Sequence, residues 1–360
     1  MDRRHWLRQS TLAAFGLAAA PTLAHSRPRF ADPDVIRLSS NENPHGPSPK
    51  ALEAMQTALR GGNRYPNAQP LAKLIAEREG LSPDHVMIAQ GSFEVLNMAG
   101  TALGIDQGEI IVPDPTFPIF ELRAESAGAT LVKVPVTDKQ GVDLDAMMAA
   151  VSPRTRAVYL CNPNNPTGTL LPASSLRPFC EALAERTTVF VDEAYHELVT
   201  DPGYESMVSL VREGANVIVS RTFSKIYGLA GLRIGYALAP PALVQQMRAF
   251  SAGPVNNVGL AAAIASMDDH AFAEASVQRN AEARAVLTDH LQALGIWHAD
   301  SHTNFVWANF ERPMRPLYNA LREQGIRIGW PADPDQPWGR ISMGTVQDMR
   351  QLNRALTAVL

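Results

Sequence analysis

Between residues 86 and 239 short apolar runs alternate with segments of helical spacing, and this alternation constrains the fold more than any other feature. VMIAQ, EIIVPDP, TLVKVPV, AVYLC, TVFVD, NVIVS and RIGYALA are seven such runs, each bounded by glycine, proline or polar residues. Runs of this length without a polar face read as strands buried on both sides. Helical segments lie between them: GSFEVLNMAGTAL, with Val95, Leu96, Ala99 and Leu103 as its buried stripe, then 118–127, 144–150 and 176–184. The pattern predicts an α/β fold with a mostly parallel seven-stranded sheet covered on both faces. RIGYALA follows NVIVS too soon for a crossover helix, so it is the antiparallel member.

The flanks read differently. LSSNENPHGPSP is turn-rich and aperiodic, an arm or loop. A short helix covers 51–59, and Leu71, Leu74, Ile75 and Arg78 form one face of another ending at Gly80. A long helical region spans 260–294, broken near Asp268-Asp269. TNFVWANF, IRI and RISMG read as strands, 314–324 as a helix, and 346–360 as a helix with Met349, Leu352, Leu356 and Val359 on one side. The organisation is an export signal over 1–26, an arm over 27–50, a large domain over 51–252 and a smaller α+β domain over 253–360, with the arm docked on the latter.

The N-terminus places MDRRHWLRQS before TLAAFGLAAAPTLA, a basic segment ahead of a modest apolar one. Arg3-Arg4-His5-Trp6-Leu7-Arg8 resembles a twin-arginine export signal, which implies passage through the twin-arginine translocation machinery as a folded protein and a periplasmic location; without a working signal the location is cytoplasmic. The apolar run is too short and interrupted for stable membrane insertion, which takes roughly 20 apolar residues. A net charge of −4 and 46% hydrophobic residues describe an ordinary globular chain with no basic track for nucleic acid. Cys161 and Cys180 allow at most one disulfide and form no CxxC pair. His45, His196 and His302 share no metal-ligand spacing.

Parallel sheets place their sites beyond the C-terminal ends of strands. Four such ends are polar: Gly91-Ser92, 162–168, 192–195 and 220–225. Asp192 follows TVFV, and a carboxylate buried there asks for a cationic or hydrogen-bonding partner, for which a protonated heterocyclic nitrogen would serve. Lys225, in RTFSKIYGLAGLRIGYA, is on its own an ordinary loop lysine; between two core strands it is also placed to form a Schiff base with a carbonyl cofactor. A helix start with hydroxyls can hold a phosphate.

The ordered stretches SSNENPHGPSP, NRYP, GSFEVLNM, PDPTFPIF, CNPNNPTG, VDEAY, RTFSKIYGLAGLRIGY and GRISMGT resemble the fold-type I pyridoxal-phosphate aminotransferases of class I/II, in the histidinol-phosphate aminotransferase branch. The resemblance runs from Leu38 to the C-terminus. It implies pyridoxal 5'-phosphate as cofactor, with Lys225 as the Schiff-base lysine and proton shuttle. It pairs Asp192 with the pyridine nitrogen and sets Tyr195 and Asn165 on the phenolic oxygen. Gly91, Ser92, Thr222, Ser224 and Arg233 anchor the phosphate, with Phe93 beside it where Asp or Ser is common. Phe117 takes the ring-stacking position, usually a Tyr. Tyr65 matches a tyrosine that reaches the neighbouring subunit's phosphate, which implies a homodimer with shared active sites. Arg340 matches the arginine that clamps the α-carboxylate, and Glu42, Asn43 and Asn165 complete the substrate side.

The implied activity is transfer of an amino group between an L-amino acid, or histidinol phosphate, and a 2-oxo acid in two half-reactions. A decarboxylase resembling threonine-phosphate decarboxylase would carry the same lysine, aspartate and arginine, and a non-catalytic pyridoxal-phosphate-binding protein is the third reading. Export argues against histidinol phosphate as the physiological substrate.

Overall fold

The computed structural model describes residues 35–105, 107–329, 333 and 335–360; the expected export signal and the first part of the arm lie outside them. In chain order the elements are β1 (Ile36–Leu38), α1 (Pro49–Leu59), α2 (Gln69–Glu79), β2 (Val86–Ala89), α3 (Ser92–Gly104), β3 (Glu109–Asp114), α4 (Ile119–Ala127), β4 (Thr130–Pro135), α5 (Leu144–Ala149) and β5 (Thr155–Cys161). They continue with α6 (Ala173–Ala184), β6 (Thr188–Asp192), α7 (Val208–Arg212), β7 (Val217–Thr222), β8 (Gly235–Leu238), α8 (Pro241–Arg248) and α9 (Asn257–Met267). The last group is α10 (His270–Ala293), β9 (Trp297–His298), β10 (Phe305–Asn309), α11 (Met314–Glu323), β11 (Ile326–Ile328), β12 (Trp338–Ser342) and α12 (Val346–Val359).

Seven strands form one sheet in the order β2-β8-β7-β6-β5-β3-β4. Only β8 runs antiparallel to its neighbours, β2 and β7. Side chains alternate between faces along each strand. Val189 and Val191 of β6 therefore enter the core shared with α2, α6 and α9, while Phe190 enters the core shared with α3, α4 and α8. The alternation decides where the polar strand ends point. Asp192 falls on the same face as Phe190, Ser220 on that of Ile218, and Cys161 on that of Tyr159. Glu193 and Arg221 fall on the opposite face, where they pair at 3.0 Å. Arg221 also meets Glu79 at 2.7 Å and donates to Ser206 at 2.7 Å, so this buried charge has partners on three sides.

The smaller body carries β12-β10-β9, antiparallel, and the pair β1-β11, parallel, which docks the arm there. Its core is filled by α10, α11 and α12. The helix α9 does not belong to it: Leu260, Ala262, Ala263 and Met267 pack in the large-domain core. The small-domain start expected at residue 253 lies just before α9, which begins at Asn257. Along α2 the buried face is Leu71, Ala72, Ile75 and Ala76, with Leu74 only flanking it and Arg78 donating to the Met267 carbonyl at 2.6 Å. The strands β1 and β9 and the helices α7 and α8 are elements that the sequence pattern does not predict. Cys161 and Cys180 are both free and buried, in different core clusters.

Candidate active site

The ends of five strands, β2, β3, β5, β6 and β7, and the arm converge on a cleft of about 270 Å³, far more than the roughly 30 Å³ one water occupies. Its wall includes Asp192, Tyr195, Asn165, Lys225, Arg233 and Arg340. Three cations face two carboxylates, Asp192 and Glu42, so the cleft is suited to an anionic ligand.

Asp192 is 2% exposed, and its Oδ1 accepts from Ser220 Oγ at 2.5 Å. Burial pushes its pKa up to about 6, against the Ser220 hydrogen bond and the charge of Lys225, which both favour ionisation. Lys225 is half-buried, with Nζ 5.6 Å from the Tyr195 ring centroid. Burial, then the charge of Arg340, pushes its pKa down to about 8 despite Asp192. Neither group has a salt bridge among the described residues, so each keeps its polar capacity for a ligand. The Tyr195 hydroxyl accepts from Asn41 Nδ2 at 2.9 Å and Asn165 Nδ2 at 3.2 Å. Burial raises its pKa, so it stays a neutral donor.

An anion cradle lies at the start of α3. Gly91 caps the helix with φ 78, where a side chain is strained and a Cβ would stand 2.6 Å from Arg233 Nη2. Gly235 lets the helix end approach the sheet, since its Cβ would meet Ser92 N at 2.4 Å. Arg233 itself has φ 54 and donates to Ser224 Oγ at 3.4 Å and to the Ala230 carbonyl at 2.9 Å. Thr222 Oγ1 donates to Ser224 Oγ at 3.0 Å. Free N–H groups of a helix start, two hydroxyls and a guanidinium form the donor set a phosphate requires.

At the other end, Arg340 donates to Asn165 Oδ1 at 2.8 Å and to the Ser39 carbonyl at 2.9 Å. Its buried Nε has no hydrogen-bond partner among the described residues. Each terminal nitrogen makes one bond and keeps a second N–H, and a guanidinium held in this way offers the planar fork that a two-oxygen acceptor takes.

The residues singled out by sequence distribute as follows. Ser92, Phe93, Phe117, Asn165, Asp192, Tyr195, Thr222, Ser224, Lys225, Arg233, Arg340 and Glu42 line the cleft, and Gly91 shapes its cradle. Glu42 also pairs with Arg37 at 2.9 Å. Asn43 lies in a side cavity of about 20 Å³, room for about one water, and donates to the Ile226 carbonyl at 2.7 Å. Tyr65 is 95% exposed and does not line the cleft. His45 borders the side cavity, His196 bonds Tyr204 at 3.0 Å and His302 faces Asp300 at 3.7 Å. Sequence reasoning missed Asn41. Its backbone adopts φ 54, its Oδ1 accepts from Ser342 Oγ at 2.6 Å, and its amide reaches Tyr195. The signal available was an Asn in a polar turn, the residue type that tolerates left-handed backbone.

Residues 33–358 match the profile of the family described as aminotransferase class I and II. The histidinol-phosphate aminotransferase of Moorella thermoacetica is 38% identical over 333 residues, covering 91% of this chain and 86% of that protein. That of Halalkalibacterium halodurans is 37% identical, covering 91% and 89%. The crystal structure of histidinol-phosphate aminotransferase from Sinorhizobium meliloti, in complex with pyridoxal-5'-phosphate, superposes with a TM-score of 0.83 at 30% identity, covering 96% of this chain and 99% of that one.

Proposed function

The chain belongs to the class I and II aminotransferases, in the histidinol-phosphate aminotransferase branch, and on that premise we propose that it transfers amino groups between an L-amino acid, or histidinol phosphate, and a 2-oxo acid with pyridoxal 5'-phosphate in the cleft. The observation that carries this reading is the Arg340 guanidinium on the same cleft as Lys225 and Asp192. When bound, the cofactor supplies a carbonyl that condenses with amines and a ring that withdraws electrons from the substrate's Cα.

The chain's own residues divide the remaining work. The α3 start, Ser92, Thr222, Ser224 and Arg233 would hold the phosphate, and Phe117 would cover the ring. Asp192 would hold a proton on the ring nitrogen, an ion pair that replaces the cost of leaving this carboxylate buried alone. Asn165 and Tyr195 would hold the phenolic oxygen. Lys225, at a pKa of about 8, has an appreciable neutral fraction near pH 7, so Nζ can act as nucleophile and then take and return the proton at Cα. The Arg340 fork takes a carboxylate, and its geometry suits a phosphate oxygen pair equally.

The test is a donor and acceptor panel on the reconstituted protein, read by single-turnover spectra and 2-oxo acid release. Spectral change with oxo acid supports the reading. Carbon dioxide release would instead identify a decarboxylase, and no change with any donor a binding protein.

Two wider readings belong to the same proposal. Tyr65, exposed and away from its own cleft, serves the partner's phosphate in a homodimer. The Arg3-Arg4 segment directs export to the periplasm, where an amino acid is a better candidate donor than a biosynthetic phosphate ester.

A further inference from the structure

One polar bridge joins the two domains at a point where none of the groups discussed so far lies. Trp307 of β10 stands opposite Arg340 of β12 in the antiparallel register, so both side chains leave the same sheet face. Trp307 stacks on Trp338 with centroids 5.5 Å apart and planes 6° apart. Phe305, on that face too, has its ring centroid 5.6 Å from the Arg340 guanidinium carbon. The arginine thus lies over the Phe305 ring.

The indole Nε1 of Trp307 donates to Gln140 Oε1 at 3.1 Å. Gln140 belongs to the large-domain turn between β4 and α5 and adopts φ 63, a conformation that costs a non-glycine residue about 1 kcal/mol or more. The turn is closed by Gln140 N on the Thr137 carbonyl at 2.7 Å and Thr137 N on the Gly141 carbonyl at 2.8 Å. The Gln140 carbonyl in turn accepts from Thr169 Oγ1 at 3.0 Å. Thr169 ends the loop that carries Asn165, the acceptor of Arg340. One loop of the large domain therefore grips one sheet face of the small domain twice. Asn165 holds Arg340 directly, and Thr169, through Gln140, holds Trp307.

We propose that Gln140 is a positioning residue: by fixing Trp307 it holds the β10–β12 face against the 162–169 loop and keeps the Arg340 fork in place before substrate arrives. The proposal rests on the reading of Arg340 as the carboxylate clamp. Without the latch the fork occupies its binding position only part of the time, and apparent affinity falls by that fraction. The phosphate cradle is built on α3, β7 and the turn before β8, so cofactor binding stays as it was.

The test uses Gln140→Gly, since glycine accepts φ 63 and loses only the side chain, with Gln140→Glu to restore an acceptor. Trp307→Phe removes the indole N–H and keeps a ring, and Arg340→Lys is the control for the clamp. Gln140→Gly should raise KM for the amino donor about fivefold while kcat stays within about twofold. Gln140→Glu should return toward the parent, and Trp307→Phe should match Gln140→Gly, the double variant being no worse than either. The ¹⁵N indole resonance of Trp307, assigned by its loss in Trp307→Phe, should shift in Gln140→Gly and not in Gln140→Glu. A parental KM in Gln140→Gly alongside a raised KM in Arg340→Lys overturns the latch, as does additivity of the two single variants. An unchanged KM in Arg340→Lys overturns the clamp reading, and the latch with it. If Gln140→Gly does not fold, Trp307→Phe and its KM decide the same question.

Discussion

Asp192 and Lys225 are each held where their charge is costly, and the two costs fall in different pH windows. Asp192 goes from 3.8 in the unfolded chain to about 6 in the cleft. Between those values the folded protein binds a proton that the unfolded chain does not, so stability falls as pH rises, and the full cost stands above about 6. Lys225 goes from 10.5 to about 8, so from about 8 upward the unfolded chain holds the extra proton and stability recovers. The cofactor-free protein therefore carries both buried charges between about 6 and 8. Asp192→Asn, which keeps an acceptor for Ser220, should stabilise the cofactor-free chain at pH 7 by on the order of 2 kcal/mol and leave it unchanged near pH 3. It should also lose most of its turnover. Urea midpoints at the two pH values decide it: a midpoint at pH 7 below that of the parent would refute the account. Asp192 was legible in the sequence because a carboxylate directly after a buried strand asks for a partner, whereas Lys225, on its own an ordinary loop lysine, was singled out by the resemblance of the stretch around it. Asn41 was not legible. Its role depends on a contact with Tyr195, 154 positions away, and local turn chemistry explains an Asn there equally well.

The element that most needs its exact neighbours is the start of α3. Gly235 opens β8, and a Cβ on it would lie 2.4 Å from Ser92 N, 2.6 Å from the Gly91 carbonyl carbon and 2.9 Å from the Arg221 carbonyl oxygen. All three are backbone atoms, so the helix end itself must move. Gly235→Ala should cost about 1–3 kcal/mol by overpacking and weaken cofactor affinity about tenfold or more, because the donors it displaces form the cradle. Gly231→Ala is the matched control, since nothing lies within 4 Å of the Cβ it would add. Titration with pyridoxal 5'-phosphate separates them; equal affinities would show that the α3 start is not part of the cradle. At this scale the seven-stranded sheet could be read because strands buried on both faces leave unbroken apolar runs. The two-residue β9 is too short to show any period, and the three-residue β1 runs straight into the aperiodic arm. Which core α9 packs in was not legible for a different reason. A helix as apolar on every side as VGLAAAIASM announces that it is buried, not in which core.

The whole molecule leaves one assigned residue without work inside its own subunit. Tyr65 is 95% exposed, next to a loop that Asn257 ties down through the Arg64 carbonyl at 2.8 Å. A fully exposed tyrosine held at a defined place has an apolar body and a hydroxyl to offer another surface. Exposed Leu52 and Leu59 on α1, and Phe93 at the cleft, supply further apolar surface for a partner. If two copies share their sites by twofold symmetry, the defects of two variants can be sorted into one site. Lys225→Ala should abolish turnover, a positioned acid–base group alone being worth about 10²–10⁴, and Tyr65→Ala should bind cofactor weakly. In a mixed dimer one cleft then receives both lesions and the other receives neither. Unfolding the two variants together and refolding them in equal amounts should restore about a quarter of the parental sites, the fraction expected for random pairing of isologous dimers. Each variant refolded alone should gain nothing. Activity of the mixture equal to the average of the separate variants would mean that each cleft is built from one chain, and that Tyr65 is not the partner's phosphate ligand.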